Sequence, residues 1–293
     1  MQGAWLNLDT DEPFYVAPLG DIQWNGHPDE IALDDLKWHI EDAMEKHAWF
    51  IGMGDYIDMA SPSGRQRVAA AGHYDNMLQG IDDRALELTL EVAEILKPTV
   101  GRWAGLLTGH HYWKNQQGVT SDQRLCEILG ATYLGDDLGE MGGAVIHISI
   151  PTDRNHRTVQ VWAHHGQGAG EESAMLLRLK RIAADWEDVD IFLMGHTTKM
   201  VSSVVPKLHP TFAQRAGEPV SFKVVERRVA LIGTGGWSKG LVPGHSTYVE
   251  RKPATLRPVS LGAPLLKVTP RFHRTLVPGD TRRWAPKIEV ILS

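Results

Sequence analysis

The apolar positions of this chain repeat with two different periods, and the period changes along the sequence. Short continuous apolar runs are typical of buried strands, whereas apolar residues that recur at helical spacing are typical of a helix packed on a sheet. Through the first two thirds of the chain the two patterns alternate. They predict strands at 48–53, 103–107 and 191–194, and helices over 28–44, 82–96, 121–129 and 171–186.

The other segments favour antiparallel pairing. Strands at 144–150 and 158–163 flank the polar residues 153–155, which predicts a hairpin. Beyond position 201 the pattern changes to strands whose apolar residues are interrupted by charged neighbours, such as 222–232. Strand and helix alternation followed by an antiparallel part predicts an α/β fold with two packed sheets and helices on the outside.

We expect a single domain over residues 1–293, because a chain of this length can bury a sizeable core. Within it, residues 201–293 are expected to complete the second sheet and then to form an extended proline-rich arm that crosses the surface. The prolines that suggest this arm are Pro253, Pro258, Pro264, Pro270, Pro278 and Pro286.

Five apolar runs end in oxygen or imidazole side chains. These side chains are Asp21 and Gln23, Asp55 and Asp58, His110 and His111, His164 and His165, and His196. Residues at strand ends converge on one edge of a sheet, and carboxylates with neutral imidazoles suit Mn, Fe or Zn. A single strand-end Asp is more often a helix N-cap, and a single His is more often a core residue. Five such segments in order predict a metal site.

In order and spacing these segments resemble the five motifs of the calcineurin-like metallophosphoesterase superfamily, which are D-x-H, G-D-x-x-D, G-N-H-[DE], H-x-[GP] and G-H-x-H. In this chain the motifs are Asp21-Ile22-Gln23, Gly54-Asp55-Tyr56-Ile57-Asp58, Gly109-His110-His111-Tyr112, His164-His165-Gly166 and Gly195-His196-Thr197-Thr198. The resemblance covers roughly residues 15–200. The Gln of the first motif and the Trp- and Gly-rich tail are similar to phage-related members.

The resemblance implies a four-layer αββα sandwich of two mixed β-sheets flanked by helices. It also implies two divalent metal ions bridged by Asp55, with Mn as the first choice and Zn, Fe or Mg as alternatives. By the family pattern, the first ion takes Asp21, Gln23, Asp55 and Thr198. The second ion takes Asp55, His110, His164 and His196, with His165 as the alternative to His164.

Three positions depart from the family pattern. Gln23 offers a neutral amide oxygen, which is acceptable to Mn or Mg, and the hydroxyl of Thr198 is a weak ligand. The first metal site is therefore expected to be weakened. His110 stands where the family has Asn and adds a nitrogen donor, which favours Zn, Fe or Mn at the second site.

His111 resembles the residue that protonates the leaving alkoxide, and Asp58 resembles the carboxylate that orients it. General-acid work of this kind suits an imidazole that titrates near neutral pH. Asp58 has a second interpretation as the N-cap of a turn at 61–64.

The resemblance implies a metal-dependent phosphoester hydrolase. We favour phosphodiesters, including nucleotides or nucleic-acid ends, as its substrates. The alternative is a degenerate member of the fold that serves as a binding or scaffold protein with a weakened or single metal site. A formal net charge of −6 argues against an overall electrostatic hold on long nucleic acid.

The lone cysteine, Cys126, cannot form an internal disulfide, and no apolar run is long enough to cross a bilayer. These features and the lack of a signal peptide predict a cytoplasmic protein of a host or of a phage-infected cell. The oligomeric state is left open.

Residues 233–237 (Gly-Thr-Gly-Gly-Trp) have two interpretations. They form either a tight turn or a loop of small residues that lets a substrate approach the metals, with Trp237 or Tyr248 as a wall.

Overall fold

The computed structural model describes residues 1–71, 75–135, 143–151, 156–168, 172–213, 221–240, 261–270, 272–273, 283–284 and 286–292. The strands are β1 (Gln2–Asn7), β2 (Phe14–Leu19), β3 (Trp49–Gly52), β4 (Trp103–Leu106), β5 (Gly143–Pro151), β6 (His156–His164), β7 (Ile191–Met194), β8 (Met200–Ala213), β9 (Ser221–Thr234), β10 (Pro264–Thr269), β11 (Phe272–His273), β12 (Arg283–Trp284) and β13 (Lys287–Leu292). The helices are α1 (Leu33–Glu45), α2 (Pro62–Ala70), α3 (Asp75–Ile95), α4 (Ser121–Leu129) and α5 (Glu172–Asp185).

Two mixed sheets form the centre of the molecule. The first has six strands in the order β1-β5-β6-β7-β9-β8, and the second has five in the order β13-β10-β2-β3-β4. In each sheet three adjacent strands run parallel: β6, β7 and β9 in the first, and β2, β3 and β4 in the second. β11 and β12 form a separate short pair.

Alternating side chains along the strands build three apolar layers. Ile51 of β3 and Val161 of β6 both point into the core between the two sheets. Phe50 of β3 points the other way, into a cluster with α1, α3 and α4, and Trp162 of β6 packs outward against α5. The order is therefore helices, sheet, sheet, helix, and the expected α/β sandwich of two mixed sheets is confirmed. Within the described ranges, no helix is both long and apolar enough to span a bilayer.

Most local predictions are confirmed. The helix at 121–129 and the strand at 191–194 have the predicted bounds, and the predicted hairpin is the antiparallel pair β5 and β6. Its loop, 153–155, lies outside the described residues. The turn expected at 61–64 is instead the start of α2. Ser61 is the N-cap, because its Oγ accepts a hydrogen bond from the Gly64 nitrogen at 3.2 Å, so Asp58 does not cap this segment.

The expectation for the C-terminal part needs correction. β8 and β9 extend the six-stranded sheet, whereas β10 and β13 belong to the five-stranded sheet, so residues after 201 contribute to both. Residues 264–269, which we assigned to a surface arm, form a strand that lies between β13 and β2. Leu265 and Leu266 of this strand are fully buried on opposite faces. Their apolar side chains favour this position despite the neighbouring prolines.

The ends of the parallel strands place the five polar segments together. Asp21 follows β2, Asp55 follows β3 and His110 follows β4, all at the carboxyl end of the five-stranded sheet. His165 follows β6 and His196 follows β7 at the carboxyl end of the six-stranded sheet. Because both sets of parallel strands end on the same side of the sandwich, these segments meet at its rim.

Glycines allow the loops after β3 and β4 to touch. A Cβ atom at Gly109 would lie 2.1 Å from the backbone nitrogen of Asp55 and 2.1 Å from its Oδ1. A Cβ atom at Gly54 would lie 2.6 Å from the Cα of Gly109, and Gly54 has a φ of +92°. Neither position has room for a side chain.

We predict that Gly109→Ala lowers the free energy of unfolding by about 1–3 kcal/mol, the usual cost of overpacking. The matched control is Gly80→Ala in α3, where an added Cβ meets no atom within 4 Å. That change should raise the free energy of unfolding by about 0.5–1 kcal/mol, because alanine loses less conformational freedom than glycine in a helix. Urea unfolding followed by circular dichroism measures both. A Gly109→Ala protein as stable as the parent would contradict the close approach of the two loops.

Candidate metal centre

Four side chains form a compact group of potential metal ligands: Asp55, His110, His165 and His196. Each offers one ligand atom, and these atoms all lie within 4.8 Å of one another. The Nδ1 atoms of His110 and His196 are 3.0 Å apart, and the His165 ring lies edge-on to the His110 ring. Three imidazoles and one carboxylate are a donor set that suits Zn, Fe or Mn. This group could therefore hold a metal ion.

Asp55 is held by the loop that carries its neighbours. Its Oδ1 accepts hydrogen bonds from the backbone nitrogens of His110 and His111, the second at 2.9 Å. Its Oδ2 is buried and has no hydrogen-bond partner among the described residues. One oxygen of Asp55 thus fixes the side chain, and the other is left for a cation.

The side chain of His165 is also held by a hydrogen bond to the backbone. It is fully buried, and its Nδ1 lies 2.7 Å from the carbonyl oxygen of Met53. A carbonyl can only accept, so Nδ1 carries the proton and Nε2 keeps its lone pair in the neutral ring. Nε2 lies 3.2 Å from Oδ2 of Asp55, so in the metal-free protein the two atoms face each other as an ion pair. A metal ion that displaced the Nε2 proton would bind both atoms.

His164, which we expected to be the ligand of the fourth segment, lies outside the group. Its ring stacks on Trp162, and its Nδ1 accepts a hydrogen bond from the Gly166 nitrogen at 2.7 Å. The cause is the alternation of side chains along β6. Val161 and Ala163 face the core between the sheets, and Trp162 faces outward. By the same alternation the His164 side chain lies on the outer face with Trp162, and the His165 side chain lies on the inner face. The structure brings His165, the alternative, into the predicted ligand set.

Asp21 and Gln23 lie beside this group. Oδ2 of Asp21 accepts a hydrogen bond from the backbone nitrogen of His196 at 2.9 Å, and the backbone nitrogen of Gln23 donates to the Asp55 carbonyl at 2.9 Å. Both side chains are buried, and within the described residues Asp21 Oδ1 and Gln23 Oε1 have no hydrogen-bond partner. An unpaired buried oxygen costs about 1–3 kcal/mol, which a bound cation would offset.

Thr198 and Gly236, which is in the loop after β9, lie next to Asp21. A Cβ atom at Gly236 would lie 3.1 Å from Asp21 Cβ and 3.1 Å from Thr198 Cγ2, so these two residues are neighbours. Thr198 Oγ1 donates its proton to the Thr197 carbonyl at 2.8 Å and keeps its oxygen lone pairs. Trp237 is buried next to His39 and its backbone nitrogen donates to the Asp21 carbonyl. Trp237 is therefore part of the core and not the substrate wall we considered. Tyr248 lies outside the described residues.

Strained backbone conformations are concentrated at the predicted ligands. Six non-glycine residues in the described ranges have positive φ, and five of them belong to the site. These five are Asp21, Gln23, Asp55, His196 and Thr198, with φ between 50° and 68°. The left-handed conformation costs a non-glycine residue roughly 1–2 kcal/mol and occurs mainly where function requires it. Gln23 and Thr198, two of the three positions that depart from the expected motifs, share this geometry with the carboxylates.

Buried His111 and half-buried Asp58 form a pair next to the metal-binding group. Nδ1 of His111 lies 2.7 Å from Oδ1 of Asp58, and the backbone of His111 is tied to Asp55. Burial lowers the pKa of His111, but the hydrogen bond to Asp58 and the charge of Asp55 outweigh it and raise the pKa above its ordinary value. The carboxylate of Asp58 therefore lies where it can orient the His111 ring.

Protonation states in this centre depend on burial and on the Asp55 charge. Burial, assisted by the charge of His165, lowers the pKa of His110 to about 3, so its ring is neutral. Burial alone would also lower the pKa of His165, but the neighbouring carboxylate of Asp55 raises it to about 9. Burial raises the pKa of Asp55, whereas the His165 charge brings it below the ordinary value. Without a metal, His165 carries the proton that balances Asp55.

Sequence reasoning missed two residues that support the loop after β4. Oδ2 of Asp122, in the first turn of α4, accepts a hydrogen bond from the Gly109 nitrogen at 3.2 Å, and burial raises the pKa of Asp122 to about 7. Arg65 of α2 donates hydrogen bonds to the carbonyls of His110 and Tyr112 at 2.6 and 2.9 Å. Ser61 followed by Pro62, a common helix start, was the available signal for α2.

Comparison of this chain with protein-family models, with curated proteins and with solved structures gave no match.

We predict that His165→Gln and His164→Gln have opposite outcomes for metal binding. Changing even an outer partner of a metal ligand costs about 10–100-fold in affinity, so the loss of the His165 ring should cost at least as much. His164→Gln is the matched control and should retain the parent affinity. Competition with a chromophoric zinc chelator measures both, and circular dichroism verifies folding. Equal losses in the two variants would contradict the assignment of His165.

Metal affinity is predicted to rise with pH. Below its pKa of about 9 the His165 ring is protonated in the metal-free protein, and a metal ion must displace that proton. Each fall of one pH unit between pH 8 and pH 6 should therefore raise the apparent Kd for Zn²⁺ by about tenfold or more, because burial also raises the pKa of the adjoining Asp21 to about 7. Calorimetry in two buffers of different ionisation enthalpy should show about one proton released per ion. An affinity that does not change over this range would mean that His165 is already neutral.

Proposed function

We propose that this protein is a metal-dependent phosphoester hydrolase that acts on phosphodiesters. The observation that carries the proposal is the hydrogen-bonded His111–Asp58 pair one residue away from the group formed by Asp55, His110, His165 and His196. A metal-binding group alone is common to many kinds of protein. A positioned imidazole with a carboxylate partner directly beside it is an arrangement for acid catalysis.

The metal-binding group has the donors that such an enzyme needs. Asp55 and His165 each use one polar atom to bind backbone, and their other atoms are buried and face each other at 3.2 Å, where an ion could replace the His165 proton. When bound in a site of this kind, a divalent ion polarises a phosphoryl oxygen and lowers the pKa of a bound water. The backbone hydrogen bonds hold both ligands in place before the ion arrives.

His111 supplies the proton for the leaving oxygen. Its Nδ1 proton is donated to Asp58, which fixes the ring orientation and stabilises the imidazolium form. The raised pKa keeps a substantial fraction of His111 protonated at neutral pH, as a general acid requires. After transfer to the leaving alkoxide, Asp58 continues to hold the neutral ring for reprotonation.

A diester is the substrate that fits the charges of the centre. The positions of the first predicted metal offer an amide at Gln23 and a hydroxyl at Thr198 in place of two imidazoles. Such a site neutralises less charge, and a phosphodiester carries one negative charge where a monoester carries up to two. Nucleotides and nucleic-acid ends are the substrate class we propose. The scaffold alternative would leave the His111–Asp58 pair without a role.

The test is hydrolysis of bis(p-nitrophenyl) phosphate beside p-nitrophenyl phosphate in Zn²⁺, in Mn²⁺ and in chelator. Faster, chelator-sensitive cleavage of the diester is expected, and Asp55→Asn should abolish it. His111→Gln should slow a diester with a poor alkoxide leaving group by about 10²–10⁴-fold, and the p-nitrophenyl ester much less, because p-nitrophenolate leaves without protonation. His164→Gln is the control and should behave like the parent. Turnover that is insensitive to chelator and unchanged in Asp55→Asn would refute the proposal.

A further inference from the structure

Two neighbouring residues hold three consecutive carbonyl groups of the loop after β4. The carbonyl of His111 accepts a hydrogen bond from the backbone nitrogen of Met59 at 3.2 Å. The carbonyls on either side of it, those of His110 and Tyr112, accept hydrogen bonds from Nη1 of Arg65 at 2.6 and 2.9 Å. The backbone around the proposed general acid is therefore held by residues that do not belong to the metal-binding group.

The guanidinium of Arg65 is itself fixed in this position. Its Nη1 also donates to the carbonyl of Ala60 at 2.6 Å, and its Cζ lies 3.9 Å from the centre of the Tyr112 ring. A planar guanidinium can donate to several carbonyls and stack on an aromatic ring at the same time, whereas a lysine ammonium is a compact point charge. Hydrogen bonds along one edge and a ring against one face hold the side chain.

The helix that carries Arg65 has few other attachments. All of α2 (Pro62–Ala70) is described, and it has no buried residue. Within the described ranges, the side-chain hydrogen bonds from α2 to the loop after β4 all come from Arg65. Most helices in proteins are stabilised by the packing of an apolar face, which α2 does not bury. The position of α2 against the loop therefore depends on Arg65.

These contacts set the direction of the His111 side chain. A peptide unit is planar, so the hydrogen bond from Arg65 to the His110 carbonyl fixes the unit before the His111 Cα. The hydrogen bond from Met59 fixes the unit after it. Both backbone dihedral angles of His111 are thereby determined. The side chain then starts in the direction that brings its Nδ1 to 2.7 Å from Asp58.

We propose that Arg65 is a positioning residue for the acid step of the proposed function. It clamps the loop around His111 and so keeps the imidazole on Asp58 and directed at the leaving oxygen. Arg65 acts through His111 and makes no bond to the reacting atoms. This inference rests on the proposed function, because the orientation of His111 affects a rate only if a phosphoester is cleaved.

The first measurement needs no substrate. The Nδ1 proton of His111 lies in the hydrogen bond to Asp58 and should give a downfield imidazole resonance in proton NMR, assigned by its loss in His111→Gln. Arg65→Gln should broaden or remove this resonance, because a ring that moves exchanges its proton with water faster. Arg65→Lys should do so less. Arg67→Gln is the matched control, at an exposed position of the same helix, and should leave the resonance unchanged.

The second measurement separates positioning from folding. Arg65→Gln should lower kcat for a diester with a poor alkoxide leaving group by about 10–100-fold, the usual effect of losing an outer partner at such a site. It should cleave bis(p-nitrophenyl) phosphate almost as fast as the parent, because p-nitrophenolate leaves without protonation. KM and zinc affinity should stay close to the parent values, since Asp55 still holds the backbone nitrogen of His110. Arg65→Lys should recover part of the loss, and Arg67→Gln should behave like the parent.

Three results would overturn the role of Arg65. They are a His111 resonance that is unchanged in Arg65→Gln, equal losses with the two diesters, and no loss with either diester. Equal losses would mean that Arg65 only supports the fold. If the resonance responds as expected but the parent cleaves no phosphoester in any metal, the contact role of Arg65 stands and the proposed function fails. Chelator-sensitive cleavage by the parent with an unchanged resonance in Arg65→Gln would do the reverse.

Discussion

The carboxylate of Asp55 joins the two sheets of this protein at the point where their parallel strands end. Its Oδ1 accepts the backbone nitrogens of His110 and His111 from the five-stranded side, and its Oδ2 lies against His165 from the six-stranded side. Removing one partner of a buried charge pair typically costs about 3–5 kcal/mol, because the other charge is left in the interior. This one side chain therefore contacts segments from both sheets at the candidate metal centre.

Three candidate ligands share one arrangement, in which one polar atom of the side chain is hydrogen-bonded to the backbone and a second atom faces the centre. Asp21, Asp55 and His165 each use one polar atom to bind backbone. The second oxygen of Asp21 has no partner within the described residues, and the second atoms of Asp55 and His165 face each other at 3.2 Å. The backbone bonds remove rotational freedom before any ion binds, which lowers the entropic cost of binding. The same bonds require left-handed backbone at Asp21 and Asp55, and the packing of Gly54 against Gly109 and of Gly236 under Asp21 maintains it.

Electrostatics explains how a buried group of this kind is stable without an ion. The proton on His165 balances the charge of Asp55, while His110 stays neutral because burial and the His165 charge both oppose its protonation. A divalent ion that replaced this proton would add one positive charge and would contact Oδ2 of Asp55 and Nε2 of His165. Thr198 lies beside Asp21, which is not a member of the group of Asp55 and the three imidazoles.

The sequence by itself determined the alternation of strands and helices, the two packed sheets and most of the residues that come together at the candidate site. Asp21, Asp55, His110 and His196 could be predicted because each follows an apolar strand, and strand ends in such a fold converge. The choice between His164 and His165 depended on which face of β6 turns toward the second sheet, although the inward pattern of Val159, Val161 and Ala163 carried a signal for it.

Other features were decided only by tertiary structure, because they join segments that are far apart in the chain. β10 pairs with β2 across about 250 residues, so the apolar residues 264–269 could not be distinguished locally from a surface arm. Asp122 reaches Gly109 from a neighbouring helix, and Gly236 supports Asp21 from the end of β9. Local pattern determines which side chains can serve a site, whereas packing between distant segments determines which of them reach it.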